Sequence, residues 1–346
     1  MTPDLLLAGV IAVALILYTL SAGADFGGGV WDLLARGPRA EDQRSLIAGA
    51  IAPIWEANHV WLILVIVLLF VGFPGAFAAI TTALHVPLTL MLIGVVLRGS
   101  AFTFRAYDPQ PGAGARRFGR VFAITSLLTP LALGITLGAV SEGFDRDPQT
   151  GLVRTDFFSE WLAPYPFAVG LFTLVLFAYI AAVYLVDEAE DAELRAMFRR
   201  RAQVSGVLLG VVALVAYLAA AGGAPEIREG LRDSAWALPL HLMTGTAALT
   251  TLVALARCRD RLAKLAAMAQ GALIVAGWAF AQYPYIAFPD YTIAGEAAPA
   301  GVLWSVLVAL ALGAVLLVPM LIYLFVIFKG RRASASGQAD AGPPCP

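Results

Sequence analysis

Residues 53–61 read Pro-Ile-Trp-Glu-Ala-Asn-His-Val-Trp, and the apolar run after them continues to Phe70 without another charge. Glu56, Asn58 and His59, flanked by Trp55 and Trp61, therefore stand in a stretch apolar enough to lie in a membrane. Ionisable groups are costly there, and their presence is a functional hypothesis by default. A carboxyl in such a place can pick up a proton and pass it on. His59 is one helical turn beyond Glu56 on the same face and can share a hydrogen-bond chain with it. The alternative is a structural hydrogen bond to a neighbouring helix.

Two more ionisable residues interrupt apolar runs. Asp25 precedes Phe26-Gly-Gly-Gly29. It reads either as a polar residue closing a helix weakened by three glycines or as an entry carboxylate for protons. Gly23 and Gly27, four apart, allow another helix to approach closely. Arg98, in Leu97-Arg-Gly-Ser-Ala-Phe-Thr-Phe-Arg105, is expected near a membrane boundary. It either snorkels to lipid headgroups or reaches a carboxylate or carbonyl of a partner.

Metal chemistry is poorly supported. Glu56-x-x-His59 has the spacing of a di-iron ligand pair, but that site needs a second such pair. His85 and His241 have Thr82 and Leu238 in the required places. Neither they nor His59 carry a haem-ligand signature.

The elements that must position these residues are membrane helices. Of 346 residues 60% are hydrophobic and 14% charged, against a soluble norm of roughly 25% charged. No basic patch suits nucleic acid. Apolar stretches long enough to cross about 30 Å of hydrocarbon recur nine times: Leu5–Trp31, Leu46–Phe70, Ala76–Phe104, Phe118–Val140, Trp161–Val186, Ala202–Ala221, Ala235–Ala256, Leu262–Tyr283 and Ala300–Phe328. The chain reads as an all-α polytopic membrane protein. The third span is long enough either to tilt or to project beyond the membrane. On this reading Glu56 lies about 15 Å deep and Asp25 near the boundary, so the two differ by about 15 Å in depth.

Lys and Arg gather in alternate loops: Arg36, Arg39 and Arg44, then Arg105, Arg116 and Arg117, Arg195 to Arg201, Arg257 to Lys264, and Lys329 to Arg332. The positive-inside rule then places the N-terminus outside and the C-terminus in the cytoplasm. Asp187–Arg201, acidic first and basic last, suits a separate surface helix. The tail 331–346, rich in Ala, Ser, Gly and Pro, reads as disordered.

Several segments together resemble subunit II of the cytochrome bd-type quinol oxidases. They are Gly23-Ala-Asp-Phe-Gly-Gly-Gly29, Ile51-Ala-Pro-Ile-Trp-Glu-Ala-Asn-His-Val-Trp61, Leu97 to Arg105, and Trp278-Ala-Phe-Ala-Gln-Tyr-Pro-Tyr285 with Ala297-Ala-Pro299. Their order and spacing match over roughly 5–328. The resemblance implies two four-helix bundles and a peripheral helix. The divisions are then 1–145 (first bundle), 146–160 (external loop), 161–283 (second bundle), 284–330 (external loop and ninth helix) and the tail. It implies a heterodimer with a subunit I that holds haems b and d and the quinol site, in a bacterial inner membrane. This chain then binds no haem or metal of its own. A small single-span accessory subunit and a structural quinone are compatible with that picture. Glu56 matches the acid tied to a cytoplasmic proton path, where some members have Asp. His59 stands where some have Gln, and Asp25 matches the acid before the glycines. Trp55, Trp61 and Arg98 fall to structural or partner contacts. A proton-coupled secondary transporter and a passive membrane scaffold are the rival functions.

Overall fold

The computed structural model describes residues 2–51, 55–107 and 113–335; within its helices the side chains of 55–57, 105–107, 113–116, 318, 321, 322 and 324–335 fall outside the description. The elements in order are α1 (Pro3–Leu33), α2 (Ala40–Ile51), α3 (Trp55–Gly72), α4 (Pro74–Ala83), α5 (His85–Tyr107), α6 (Ala113–Glu142), α7 (Pro164–Glu188), α8 (Ala192–Gly223), α9 (Pro225–Asp233), α10 (Ala237–Ala256) and α11 (Asp260–Gln282). The strands β1 (Tyr285–Ala287) and β2 (Tyr291–Thr292) and the helix α12 (Ala300–Ala335) complete the chain. Among the described residues eight helices are long and apolar enough to cross a membrane, and a ninth crossing arises if α3 and α4 count as one.

The chain departs from the nine uniform spans in three places. α3 and α4 meet at 120°, because Pro74 at the first position of α4 starts a new helix where its missing N–H costs nothing. The first part of the third stretch is α4, and α5 carries the rest. Asp187–Arg201 is not a separate surface helix. Asp191 caps α8 by accepting the Leu194 N–H at 2.9 Å, and no breaker follows before the apolar run. α12 extends to Ala335, so residues 331–335 are helical, and 336–346 lie outside the described residues.

α1 is the hub, packed against α3, α6, α7 and α11. α3 lies on α1, α1 on α6 and α6 on α5; beside them α7 packs on α8 and α11, and α10 on α11. The main core joins Phe26, Phe177, Ile180, Phe198 and Leu209 across these helices. Glycines set the closeness. A Cβ on Gly27 would sit 2.0 Å from the carbonyl oxygen of Phe177, and one on Gly29 would sit 2.1 Å from Ser126 Oγ. α7 and α6 thus touch the α1 backbone itself, and Trp31 Nε1 donates to the Ala178 carbonyl at 2.8 Å. The glycines do not end the helix, which continues to Leu33.

The two ends of the molecule differ. At the basic end Arg39 binds Asp42, Asp191 and Glu193, Arg199 binds Asp260 and Lys264 binds Asp187. At the other end Arg146 binds Glu296 at 2.5 Å and lies 4.3 Å over the Tyr291 ring. That pins the 143–163 loop to the β1–β2 hairpin.

Gly27→Ala tests the close packing. Helix propensity alone favours Ala by about 1 kcal/mol, whereas overpacking costs about 1–3 kcal/mol. The variant is expected to melt several degrees lower in detergent. Gly9→Ala, with nothing within 4 Å of its Cβ, is expected to melt at or slightly above the wild-type temperature.

Asp191 supplies a pH test. Arg39, then the Leu194 N–H, holds its carboxyl below the usual range. The folded chain thus binds that proton more weakly than the unfolded chain. The stabilisation is fully present above the ordinary aspartate value of about 3.9 and is lost as pH falls through the lowered one. Asp191→Asn should flatten the fall in melting temperature on acidification below that value.

Candidate functional site

A carboxylate, a guanidinium and an amide meet in the interior between α1, α5, α3 and α6. Asp25 (0% exposed) lies about 12 Å of helix rise before the end of α1, facing Arg98 (1%) and Asn58 (0%). Arg98 Nη2 donates to Asp25 Oδ1 at 2.5 Å and Nη1 to Oδ2 at 3.0 Å. Nη2 also donates to the Asp25 carbonyl at 3.1 Å. Nε donates to Ser126 Oγ at 2.9 Å, and that hydroxyl donates to the Phe122 carbonyl at 2.7 Å. Asn58 Nδ2 donates to Asp25 Oδ2 at 2.9 Å. The guanidinium is sandwiched between the Phe26 and Phe122 rings, 4.6 and 4.7 Å from their centroids. The fork geometry fits a carboxylate, and flat aromatic faces suit a weakly hydrated planar cation.

The local sequence explains the approach. Gly29 leaves room for Ser126 to reach the α1 backbone. α6 therefore delivers both the hydroxyl that holds Arg98 Nε and the Phe122 ring that covers it. Phe26 follows Asp25 directly and covers the other face.

Beside the ion pair are polar atoms without partners among the described residues: Asn58 Oδ1, His59 Nδ1 and the Tyr18 hydroxyl. His59 meets the edge of Phe26 with ring centroids 6.3 Å apart. Tyr18 and His59 both lie in the field of Asp25 and Arg98. With the amide nitrogen of Asn58 bound to Asp25, its oxygen is left as an acceptor. The arrangement is a fixed internal charge pair beside groups able to donate, accept or exchange a proton.

Two sequence expectations change. Arg98 does not reach lipid headgroups or a partner; it turns inward onto Asp25, because α6 offers Ser126 and Phe122 at the depth of the guanidinium. The depth difference of about 15 Å between Asp25 and Glu56 also fails. Asn58 touches Asp25, and residue 56 is two positions away, about 3 Å along the α3 axis. The difference lies with Asp25, which sits inside α1 rather than at its boundary, because α1 runs on to Leu33. Glu56 and Trp55 occupy the first turn of α3, and their side chains lie outside the described residues. Trp61 packs, partly buried, on the main core.

Sequence reading missed Ser126, Phe122 and Tyr18. The available signal was weak: Thr125, Ser126 and Thr129 interrupt the apolar middle of α6. His85 is half-buried and His241 exposed, and they bond the carbonyls of Thr82 and Leu231. Among the described residues no group of three or more His, Cys, Asp or Glu side chains is placed to hold a metal ion.

Fold and site together define a multi-pass helical membrane protein built around an internal acid–guanidinium pair. Residues 3–328 match the profile of the cytochrome bd terminal oxidase subunit II family, and the chain belongs to that family. It is 28% identical over 200 residues to subunit 2 of the cytochrome bd-I ubiquinol oxidase of Escherichia coli K12, covering 57% of this chain and 52% of that one. The chain thus spans about half the length of that relative. Over a longer stretch, 84% of this chain and 86% of the other, it is 21% identical to the putative cytochrome bd menaquinol oxidase subunit II of Bacillus subtilis. The fold is that of a chain in the bd oxidase structure from Geobacillus thermodenitrificans, with a TM-score of 0.80, 24% identity and coverage of 95% and 99%.

The ion pair gives a double-mutant test. Asp25→Ala leaves a buried unpaired guanidinium and should cost about 3–5 kcal/mol. Removing both charges, as Asp25→Asn with Arg98→Met, should recover a large part of that loss in thermal unfolding of the detergent-solubilised protein. Arg98→Lys, which has no fork and no planar face, should behave like the single deletion rather than like wild type.

Proposed function

We propose that this chain is the haem-free subunit of a bacterial respiratory bd-type quinol:oxygen oxidoreductase, and that it supplies part of a cytoplasmic proton uptake path. The family membership supports the first part. The observation that carries the second is the Asp25–Arg98–Asn58 cluster, buried at the level of the first turn of α3, where Glu56 stands.

Reduction of oxygen to water consumes protons, and a reaction centre buried in membrane needs a relay to obtain them. In this reading Glu56 takes up and releases the proton. Asp25, clamped in its ionised form by Arg98, is a fixed anion that stabilises positive charge moving past it. Asn58 and His59 are the neighbouring relay groups. The haems b and d and the quinol site belong to subunit I, and the haem iron there supplies the oxygen chemistry. A site for that subunit is offered by the exposed apolar faces of α3 (Val60, Ile63, Val67) and α5 (Leu90, Ile93, Val96). The basic end of the bundle faces the cytoplasm by the positive-inside rule.

A scaffold role is the second reading, favoured by the way the ion pair braces α1, α5 and α6. Glu56→Gln separates the two. It keeps the side chain's shape and removes the exchangeable acid, so quinol oxidase turnover should fall by about 10²-fold or more, the usual scale for a lost proton-transfer group. Haem content and assembly should remain normal, and Glu56→Asp should keep part of the activity. Wild-type turnover and proton uptake in the Gln variant would leave the scaffold reading in place.

A further inference from the structure

At the basic end the cations are not equivalent. Arg39, Arg199 and Lys264 each hold a carboxylate. The turn joining α10 to α11 carries Arg257, Arg259 and Arg261, all exposed, and none has a carboxylate partner among the described residues. Arg257 and Arg259 line a groove of about 270 Å³. The rest of its wall is mostly apolar or small: Leu249, Val253 and Leu262, with Thr246 and Thr250. From Thr246 to Arg257 the groove follows α10 for about three turns, roughly 16 Å. Beyond it, Leu242 and Leu265 are exposed on the same two helices.

The groove therefore has an apolar floor inside the membrane and two unneutralised guanidinia at its mouth. The first turn of α11 opens beside them with no side-chain cap, so its free N–H groups add positive potential. Asp260, the one acid in that turn, is already held by Arg199.

We infer that this groove is a binding site for an anionic phospholipid, with one acyl chain along α10 and its phosphate at Arg257 and Arg259. An acyl chain matches the groove's length and apolar wall, and a phosphate diester matches the planar donor forks. Basic pockets between membrane helices recognise such headgroups by this charge complementarity. Neutral phospholipid fits the floor but leaves the guanidinia unmatched, and a free anion fits the mouth but leaves the floor uncovered.

The test uses the protein purified in mild detergent with its co-purifying subunits, stripped of lipid and titrated with phosphatidylglycerol or phosphatidylcholine of identical chains. Bound lipid is counted by native mass spectrometry. Phosphatidylglycerol should bind more tightly. Arg257→Gln and Arg259→Gln should each weaken it about fivefold, and the double variant should bind the two lipids alike. Thr250→Trp, which fills the groove and leaves the charges, should weaken both lipids; its melting temperature checks that it is folded. Equal binding of the two lipids by the wild type, or an undiminished preference in the double variant, overturns the site. So does displacement of phosphatidylglycerol by inorganic phosphate alone, which marks a free-anion site, or a co-purifying protein segment that occupies the groove in place of lipid.

Discussion

Asp25 and Arg98 are each untenable alone in the membrane interior and stable together. Desolvating either charge costs several kcal/mol even after relaxation, and pairing offsets that only when the geometry is good and the remaining donors are satisfied. The structure meets both conditions. The carboxylate is held by both terminal guanidinium nitrogens and by Asn58, while Nε goes to Ser126 and the planar faces go to Phe26 and Phe122. Those partners come from four helices: Phe26 from α1 beside Asp25, Asn58 from α3, Arg98 from α5, and Ser126 and Phe122 from α6. The ion pair thereby fixes the relative depth of α1, α3, α5 and α6, and a slip of one turn in any of them would strand a charge.

This constraint explains the glycines. A carboxylate on α1 can meet a guanidinium braced by α6 only if α6 approaches the α1 backbone, and Gly29 permits that. Gly27 does the same for α7 on another face. The cost is a helix segment with low intrinsic propensity, which burial on every side offsets: residues 22–32 are buried without interruption. The weak stretch of helix and the strong electrostatic centre are one design, since neither is stable without the other.

The sequence was legible where the signal is additive along the chain. Apolar length identified the membrane helices, and the polar residues inside them marked Asp25, Asn58, His59 and Arg98 as special. It was illegible where the outcome depends on what lies opposite. A hydropathy window cannot show that Pro74 restarts a helix at 120°, so α4 was merged into the third span. Nor can it show that Arg98 points inward, because that depends on Ser126 and Phe122, twenty-odd residues away on another helix. Depth estimates inherit such boundary errors. Placing Asp25 at the membrane boundary separates it from Glu56, whereas α1 runs on to Leu33 and Asn58 bonds Asp25 directly.

That shared level changes what Asp25 can do. To carry a proton it would have to become neutral and release Arg98, leaving a bare guanidinium in a dry, aromatic-lined site. A group held by three charge-assisted hydrogen bonds to one cation and an amide is a poor shuttle and a good fixed charge. The same reasoning frees Asn58, whose oxygen is open as an acceptor, and His59, whose Nδ1 has no described partner. The ion pair orients these groups, and on the proposed path the exchangeable proton is carried by a carboxyl outside the clamp. Among the polar residues that open α3, Glu56 alone is a carboxylic acid, which is why the proposed path gives the proton-carrying role to Glu56 and the electrostatic role to Asp25.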